Sequence, residues 1–380
     1  MATQQQDAPT LAKEAETSLP TIDADAHVIE TERTWEYMDA SDERYRPVLV
    51  APVRGGGERP RWLVDGQVRG FGSPSREPGR MEEREKTSGR TILTPEESAQ
   101  MADVDARLRH MDEVGVDIQV LHTSFFIRRV ADRPEVEAAL TRSYNRWLAD
   151  VTQGSEGRLR WTAALPFMAV DEAIAQLEWS VAHGACGVFM RPVEAQGIVT
   201  EPYFYPVYQA AERLNVPIVL HVGNANEEVN SVLGRAPGES AFTSFKLMLV
   251  ACAHALIFSE VPSLFPGLRW AFLESGAGWA PHVVTDLRQR VRGPREGAGK
   301  ELSPTVFADN RMYLMYEVYE DLPHIIEYTG EDSLVVGTDY GHTGQSTQID
   351  AMRRMAGRGD VDARVVDKML RRNPATLYGL

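Results

Sequence analysis

A closed (β/α)8 barrel with a long insertion after its first strand is the fold class predicted for this 380-residue chain, on three observations. Eight short apolar segments of strand character alternate with segments of helical spacing, the rhythm of a parallel α/β architecture. Acids and histidines gather at the C-terminal ends of those strands, where barrel active sites lie. Neither G-x-G-x-x-G nor G-x-x-x-x-G-K-[ST] follows any of them, so the runner-up, an open doubly wound sheet, lacks its nucleotide-binding chemistry.

The first strand lies in Thr21 to Glu30, TIDADAHVIE. Thr21, Ile22 and Ala24 give it buried-strand character, and Asp23, Asp25 and His27 follow at every second position, which places all three on one face. Two carboxylates and an imidazole on one buried face cost several kcal/mol each unless paired. A bound cation is the economical partner; capping of nearby backbone amides is the alternative.

Residues 31–100 resist assignment to regular structure. GGGERP, GSPSREPGR and MEEREKTSGR are rich in Gly, Pro and charge, whereas Trp35, Tyr45, Trp62, Val64 and Phe71 supply apolar anchors. The pattern fits an insertion folded over one mouth of the core as a lid.

The alternation then becomes regular. Helical segments are expected at Asp103 to Val114, Pro134 to Val151, Val170 to His183, Tyr203 to Leu214, Ala241 to Val261, Gly278 to Val291 and Leu322 to Thr329, with further helices at Thr347 to Met355 and Asp360 to Arg371. Strands are expected at Asp117 to His122, Arg160 to Phe167, Gly187 to Met190, Pro217 to His221, Trp270 to Glu274, Met312 to Met315 and Ser333 to Thr338. The domain reading is a flexible arm at 1–20 and a single barrel domain at 21–380.

Forty basic against fifty-five acidic residues give a net charge of -15, which argues against nucleic acid and anionic membranes as partners. The two cysteines, Cys186 and Cys252, sit in apolar surroundings and suit a reducing compartment. The arm lacks the apolar core of a signal peptide, and no run approaches the ~20 apolar residues of a membrane span. A soluble, cytoplasmic enzyme is the expectation.

Strand ends carry Asp25, His27, His122, Arg191, His221, Glu274, Glu317, Asp339 and His342. Imidazoles and carboxylates converging from separate strands are the donor types of a divalent metal site. Asp25, His27, His221, Glu274 and Asp339 each end an apolar run. Glu274 also suits the start of the following helix, and His342 suits orientation of a ligand as well as ligation. His110, His183, His282 and His324 fall on helices or their ends and read as surface residues, and His254 as a core histidine.

DADAH, LHVG, FPGLRWAFLESGAGWAP, VGTDYGH and the closing NPATLYGL together resemble the amidohydrolase superfamily, in the amidohydrolase-2 group that includes aminocarboxymuconate semialdehyde decarboxylase and γ-resorcylate decarboxylase. The resemblance spans residues 20–380 and implies a barrel whose metal is held by Asp25, His27, His221 and Asp339. Two departures matter: Asp25 stands where a histidine is common, and Glu274 stands where a histidine often serves as acid/base. With Glu30 three residues after His27, the site is rich in oxygen donors, which favours manganese or iron over zinc. FLESGAGW and GTDYGHTGQST look closest to the superfamily's dinuclear non-heme iron monooxygenases, of which a platensimycin-pathway terpenoid hydroxylase and an isobutylamide N-hydroxylase are examples.

Three functions follow from that resemblance. The favoured one is hydroxylation of a small molecule with O2 and an electron donor. In it Asp25, His27, His221 and Asp339 hold one iron or manganese, Glu30, Glu274 and His342 serve a second, and Phe125, Phe126, Trp279 and Tyr340 keep the oxidant dry. The alternative is hydrolysis or non-oxidative decarboxylation at one zinc or manganese, with Asp339 carrying the proton, Arg191 gripping a substrate carboxylate and His122 facing the substrate. The third is a non-catalytic partner subunit of an active homologue. A homodimer is compatible with each.

Overall fold

The computed structural model describes residues 19–50, 60–69, 78–233, 242–292 and 302–380. Almost all of the expected arm, together with Phe71, Ala241 and residues 293–301, lies outside the described residues.

Eight parallel strands form the barrel in sequence order. They are β1 (Ile22–Val28), β2 (Ile118–Thr123), β3 (Leu159–Ala164), β4 (Ala185–Met190), β5 (Ile218–His221), β6 (Trp270–Leu273), β7 (Met312–Tyr316) and β8 (Leu334–Val336). Closure between β8 and β1 is made by main-chain bonds just past β8: Thr338 and Asp339 donate to Asp25 O at 3.1 and 2.9 Å, and His27 donates to Tyr340 O at 2.8 Å. Gly337 makes that seam possible, because a Cβ there would overlap Asp25 Cβ. The (β/α)8 expectation therefore holds.

Helices cover the outside, including α1 (Val104–Val114), α2 (Pro134–Thr152) and α3 (Val170–Ala182). Asp103 caps α1 by accepting from the Ala106 amide, and left-handed Gly115 ends it. Two buried cores result. One lies inside the barrel, with Ile22, Ala24, Val120, Val219, Leu273, Met315 and Val335; the larger one lies between sheet and helices.

Three helical expectations shift: the last helix, expected at Asp360 to Arg371, starts at Ala363 and runs into a π turn at Lys368–Arg372. The segment after β5 begins with a π turn at Phe242–Lys246 before the α-helix Leu247–Phe258. The helix expected from Thr347 starts only at Ala351, because Thr347 is drawn to Asp339 as described below. The inserted segment contains more regular structure than its composition suggested: a 3-10 helix at Glu32–Tyr37, an antiparallel sheet of Val48–Val50, Arg61–Val64 and Gln67–Arg69, and a helix at Pro78–Ser88. Trp35, Tyr45, Trp62 and Val64 are all buried.

The first strand departs from strict alternation. Its pairing with β2 slips between Asp23 and Ala26, where Asp23 faces Gln119 but Ala26 already faces Leu121, so β1 carries one extra residue. Such a bulge turns the side chains that follow it to the other face. Asp25 and His27 consequently face the mouth, whereas Asp23 turns to the helix side and bonds Gln119 and Thr338. The expected sharing of one face by all three is corrected by this register shift.

Candidate metal centre

Asp25 and His27 lie on β1, His221 ends β5, Glu274 directly follows β6, and Asp339 and His342 follow β8. His27 Nδ1 lies 3.1 Å from Thr123 O and His221 Nδ1 lies 3.0 Å from Val222 O. A carbonyl can only accept, so both Nδ1 atoms carry hydrogen and both Nε2 atoms face inward. Those two Nε2 atoms are 3.0 Å apart, at 3.4 and 3.5 Å from Asp25 Oδ1. Such a meeting of lone pairs needs a proton or a cation between them.

The remaining groups complete a ring around that point. Asp339 Oδ1 is 3.6 Å from His27 Nε2, and Glu274 Oε2 is 3.4 Å from His221 Nε2. Asp339 and Glu274 both take left-handed backbone, at φ 52° and 62°. That conformation costs an ordinary side chain of order 1–3 kcal/mol and concentrates at functional sites. Thr347 Oγ1 donates to Asp339 Oδ2 at 2.6 Å, which leaves Oδ1 for the centre. His342 Nδ1 lies 2.7 Å from Asp339 Oδ1, and its ring stacks on that of His27.

Charge is distributed unevenly. Although burial resists ionisation of Asp25, His221 and His27 hold its carboxyl well below the usual range. Burial and then His342 push His27 well below its ordinary value. Despite burial, Asp25 and Glu274 raise His221 to about 9. Burial and the neighbouring Asp339 push Glu274 up to about 8. His342 is raised against its burial by Asp339 and Glu274.

The residues fit a divalent cation. Both oxygens of buried Asp25 make no hydrogen bond, and Oδ1 of buried Asp339 has only the His342 ring beside it, an expensive arrangement unless a cation satisfies them. Among the described residues two donor groups form: Asp25, His27 and His221; and His27, Glu274, Asp339 and His342. They share His27. Mixed carboxylate and imidazole donors suit manganese, iron or zinc.

Other expected site residues are placed elsewhere. Glu30 belongs to neither donor group; its carboxylate accepts from Thr123 Oγ1 and from the amides of Ser124 and Phe125, capping a 3-10 turn. Arg191 is not open to a substrate: Glu194 grips its Nε at 2.9 and 3.0 Å, Glu137 lies 3.6 Å away, and the carbonyls of Phe126 and Arg128 take its Nη1. Tyr340 is fully buried, its hydroxyl 2.9 Å from His110 Nδ1 and its ring beneath Arg107, because the alternation that aims Asp339 inward turns its neighbour outward. Trp279 bonds Gly276 O at 2.8 Å and packs on Phe272 and Phe307. Phe125 packs on Trp35 and Trp62, and Phe126 on Tyr144. Of the expected aromatic wall, Phe125, Phe126 and Tyr340 are thus core, and Trp279 is half-buried against it.

His122 stays at the centre's edge, 3.9 Å from Asp25 Oδ1 and pushed down to about 4 by burial, hence neutral. His110, read as a surface residue, is half-buried. Three contributors escaped sequence reasoning. Phe189 places its ring centroid 5.4 Å from that of His221 and 6.5 Å from that of His122. Ser124 accepts from His342, and Thr347 holds Asp339. Ser124 directly follows β2, the strand beside His27, which was an available signal.

Residues 22–380 match the amidohydrolase family described as Amidohydro_2. An amidohydrolase from Mycobacterium avium subsp. paratuberculosis has a similar fold at TM-score 0.76 and 17% identity, covering 95% of this chain and 99% of that one. A 2,6-dihydroxybenzoate decarboxylase from Rhizobium aligns at TM-score 0.64 and 17% identity, covering 95% and 99%. A 5-carboxyvanillate decarboxylase from Novosphingobium aromaticivorans, complexed with manganese and a nitrobenzoic acid, aligns at TM-score 0.61 and 16% identity, covering 80% and 93%.

Proposed function

Because the chain belongs to the amidohydrolase family, we propose that it is a one-metal, manganese- or zinc-dependent enzyme that decarboxylates a small carboxylated molecule without oxidation. The observation that carries this reading is a set of converging donors, Asp25, His27 and His221, beside Glu274 and His342, whose carboxyl and imidazole are both raised above their ordinary values. A divalent ion bound there supplies Lewis acidity towards a substrate carboxylate. Asp25, His27, His221 and Asp339 would hold it.

Loss of carbon dioxide leaves an electron pair on carbon that must take up a proton. Glu274, raised to about 8, is neutral at pH 7, and His342 is raised by Asp339 and Glu274. Glu274 stands ready to give a proton and the shift of His342 favours its protonated form, which suits decarboxylation better than hydrolysis, where a group free to accept one is needed first. Phe189 offers an apolar surface beside His122 and His221, compatible with a flat aromatic acid. The manganese-bound carboxyvanillate decarboxylase of similar fold supports the same class by analogy. In this reading residues 31–100 act as the lid over the mouth, and the enzyme works in the cytoplasm, where Cys186 and Cys252 stay reduced. Among the described residues no helix is long and apolar enough to cross a membrane.

One observation favours a second reading. His27, Glu274, Asp339 and His342 form a donor group of their own, enough with the first for two iron ions, or manganese and iron, and for O2 chemistry fed by an electron donor. Metal content per chain, paired with turnover of aromatic acids with and without O2, separates the two. One ion and carbon dioxide release under anaerobic conditions support decarboxylation. Two redox metals and a product formed only with O2 and a reductant overturn it.

A further inference from the structure

Behind the donors, on the helix side of the seam, runs a chain of buried polar side chains that no step above uses. Arg107 of α1 donates from Nε to Gln119 Oε1 at 2.9 Å and from Nη1 to the carbonyls of His27 and Ser98 at 3.1 and 3.2 Å. Gln119 of β2 donates to Asp23 Oδ2 at 3.2 Å. Asp23 also accepts from Thr338 Oγ1 at 2.6 Å, from the Thr338 amide at 2.9 Å and from the Asp25 amide at 3.3 Å. Arg107, Gln119, Asp23 and Thr338 all have zero exposure.

Burying a guanidinium and a carboxylate carries a large desolvation cost, and here the two are joined only through a neutral amide. Apolar side chains would fill the same seam more favourably, so stability does not account for the relay. Its end points do. They are the Asp25 amide, the His27 carbonyl and Thr338, which immediately precedes Asp339. The extra residue in β1 is what lets Asp23 reach this side while Asp25 and His27 face the mouth.

We infer that Asp23, Gln119 and Arg107 are positioning residues, which fix the main chain of Asp25, His27 and Asp339 so that their donor atoms converge before an ion arrives. The inference rests on the metal-dependent reading of the centre. None of the three touches substrate or the centre itself; Asp23 and Arg107 act through the backbone of a donor, and Gln119 joins the two. Partners that orient metal donors typically contribute about 10–100-fold to affinity.

The test is titration of metal-stripped protein with Mn(II), followed by electron paramagnetic resonance, for the wild type, Asp23→Asn and Gln119→Leu, with circular dichroism to establish folding. The expected result is a dissociation constant weakened about 10–100-fold, a broader bound-Mn(II) spectrum and partial recovery of affinity in Gln119→Asn relative to Gln119→Leu. Should Asp23→Asn fail to fold, Thr338→Val, which removes one hydroxyl and keeps the amide bond, serves as its replacement. Folded variants with the wild-type constant and spectrum overturn this inference alone. A wild type that binds neither Mn(II), Zn(II) nor Fe(II) overturns the metal-dependent reading along with it.

Discussion

His342 stacks on His27 with ring centroids 3.8 Å apart and 22° between the planes. The contact places a charge-prone imidazole over one that burial keeps neutral, and the hydrogen bonds around His342 fix where its protons are. Ser124 Oγ gives its own hydrogen to Val28 O at 2.7 Å, so it accepts from His342 Nε2 at 2.7 Å, while Nδ1 faces Asp339. His342 therefore serves as a proton carrier in the decarboxylase reading. His342→Asn is expected to lower kcat by about 10²–10⁴-fold, the usual range for a lost acid/base group, with bound metal unchanged. Loss of metal together with kcat, measured on the same preparation, would make His342 a ligand and favour two ions.

Metal binding should release protons, because ligands must give them up. His221 is raised to about 9, so at pH 7 its Nε2 holds the proton that sits among Asp25 and His27. Apparent affinity is then expected to rise about tenfold per pH unit between pH 7 and 8.5, one proton leaving per ion. Calorimetric titration in two buffers of different ionisation enthalpy counts it. A count of two would add Glu274, which also holds its proton up to about 8, to the ligands.

Much of the centre was legible because a barrel gathers its chemistry at strand ends, and Asp25, His27, His221, Glu274 and Asp339 each terminate an apolar run. What could not be read is what depends on register. The extra residue in β1 leaves no mark in TIDADAHVIE, yet it separates Asp23 from Asp25. Tyr340 and Arg191 were misplaced for related reasons. The residue after Asp339 points outward, and Glu194, three residues after Arg191, was an ion-pair partner already visible in RPVE. Thr347 looked helical because spacing says nothing of a hydroxyl drawn to a carboxylate eight residues earlier.

The Arg191 cluster gives a stability prediction. Glu137 is pushed up from 4.5 to about 7, by burial first and against the attraction of Arg191. Between those values the folded chain holds a proton that the unfolded chain has lost. Stability from this group is thus full below about pH 4.5 and falls as pH rises through 7, by about 3 kcal/mol at most. Glu137→Gln should flatten the decline of Tm between pH 5 and 7.5 relative to the wild type. Parallel profiles for the two proteins would remove Glu137 as its source.

Arg191 itself should matter to stability and not to substrate affinity. Removing it strands buried Glu194 with uncompensated charge, a loss of about 3–5 kcal/mol when a buried pair is broken from one side. Arg191→Met is expected to lower Tm by several degrees while the KM of the folded fraction stays at the wild-type value. A KM raised tenfold or more at unchanged Tm would return Arg191 to the substrate.

Gly337→Ala tests the seam directly. A Cβ at 337 would overlap Asp25 Cβ and lie 3.0 Å from Met315 Cε. Met315 is flexible and can yield, but Asp25 cannot: its carbonyl accepts from both Thr338 and Asp339, so relief of the clash must part β1 from β8. Parting them moves Asp25 and Asp339 away from each other. The variant is expected to bind Mn(II) at least about tenfold more weakly, as misplaced ligand supports do, and to lose about 1–3 kcal/mol of stability, as overpacked cores do, read as a lower Tm. Measured together, the two effects separate packing from ligation. Lower Tm with unchanged Mn(II) affinity would mean that the seam supports the barrel without setting the positions of Asp25 and Asp339.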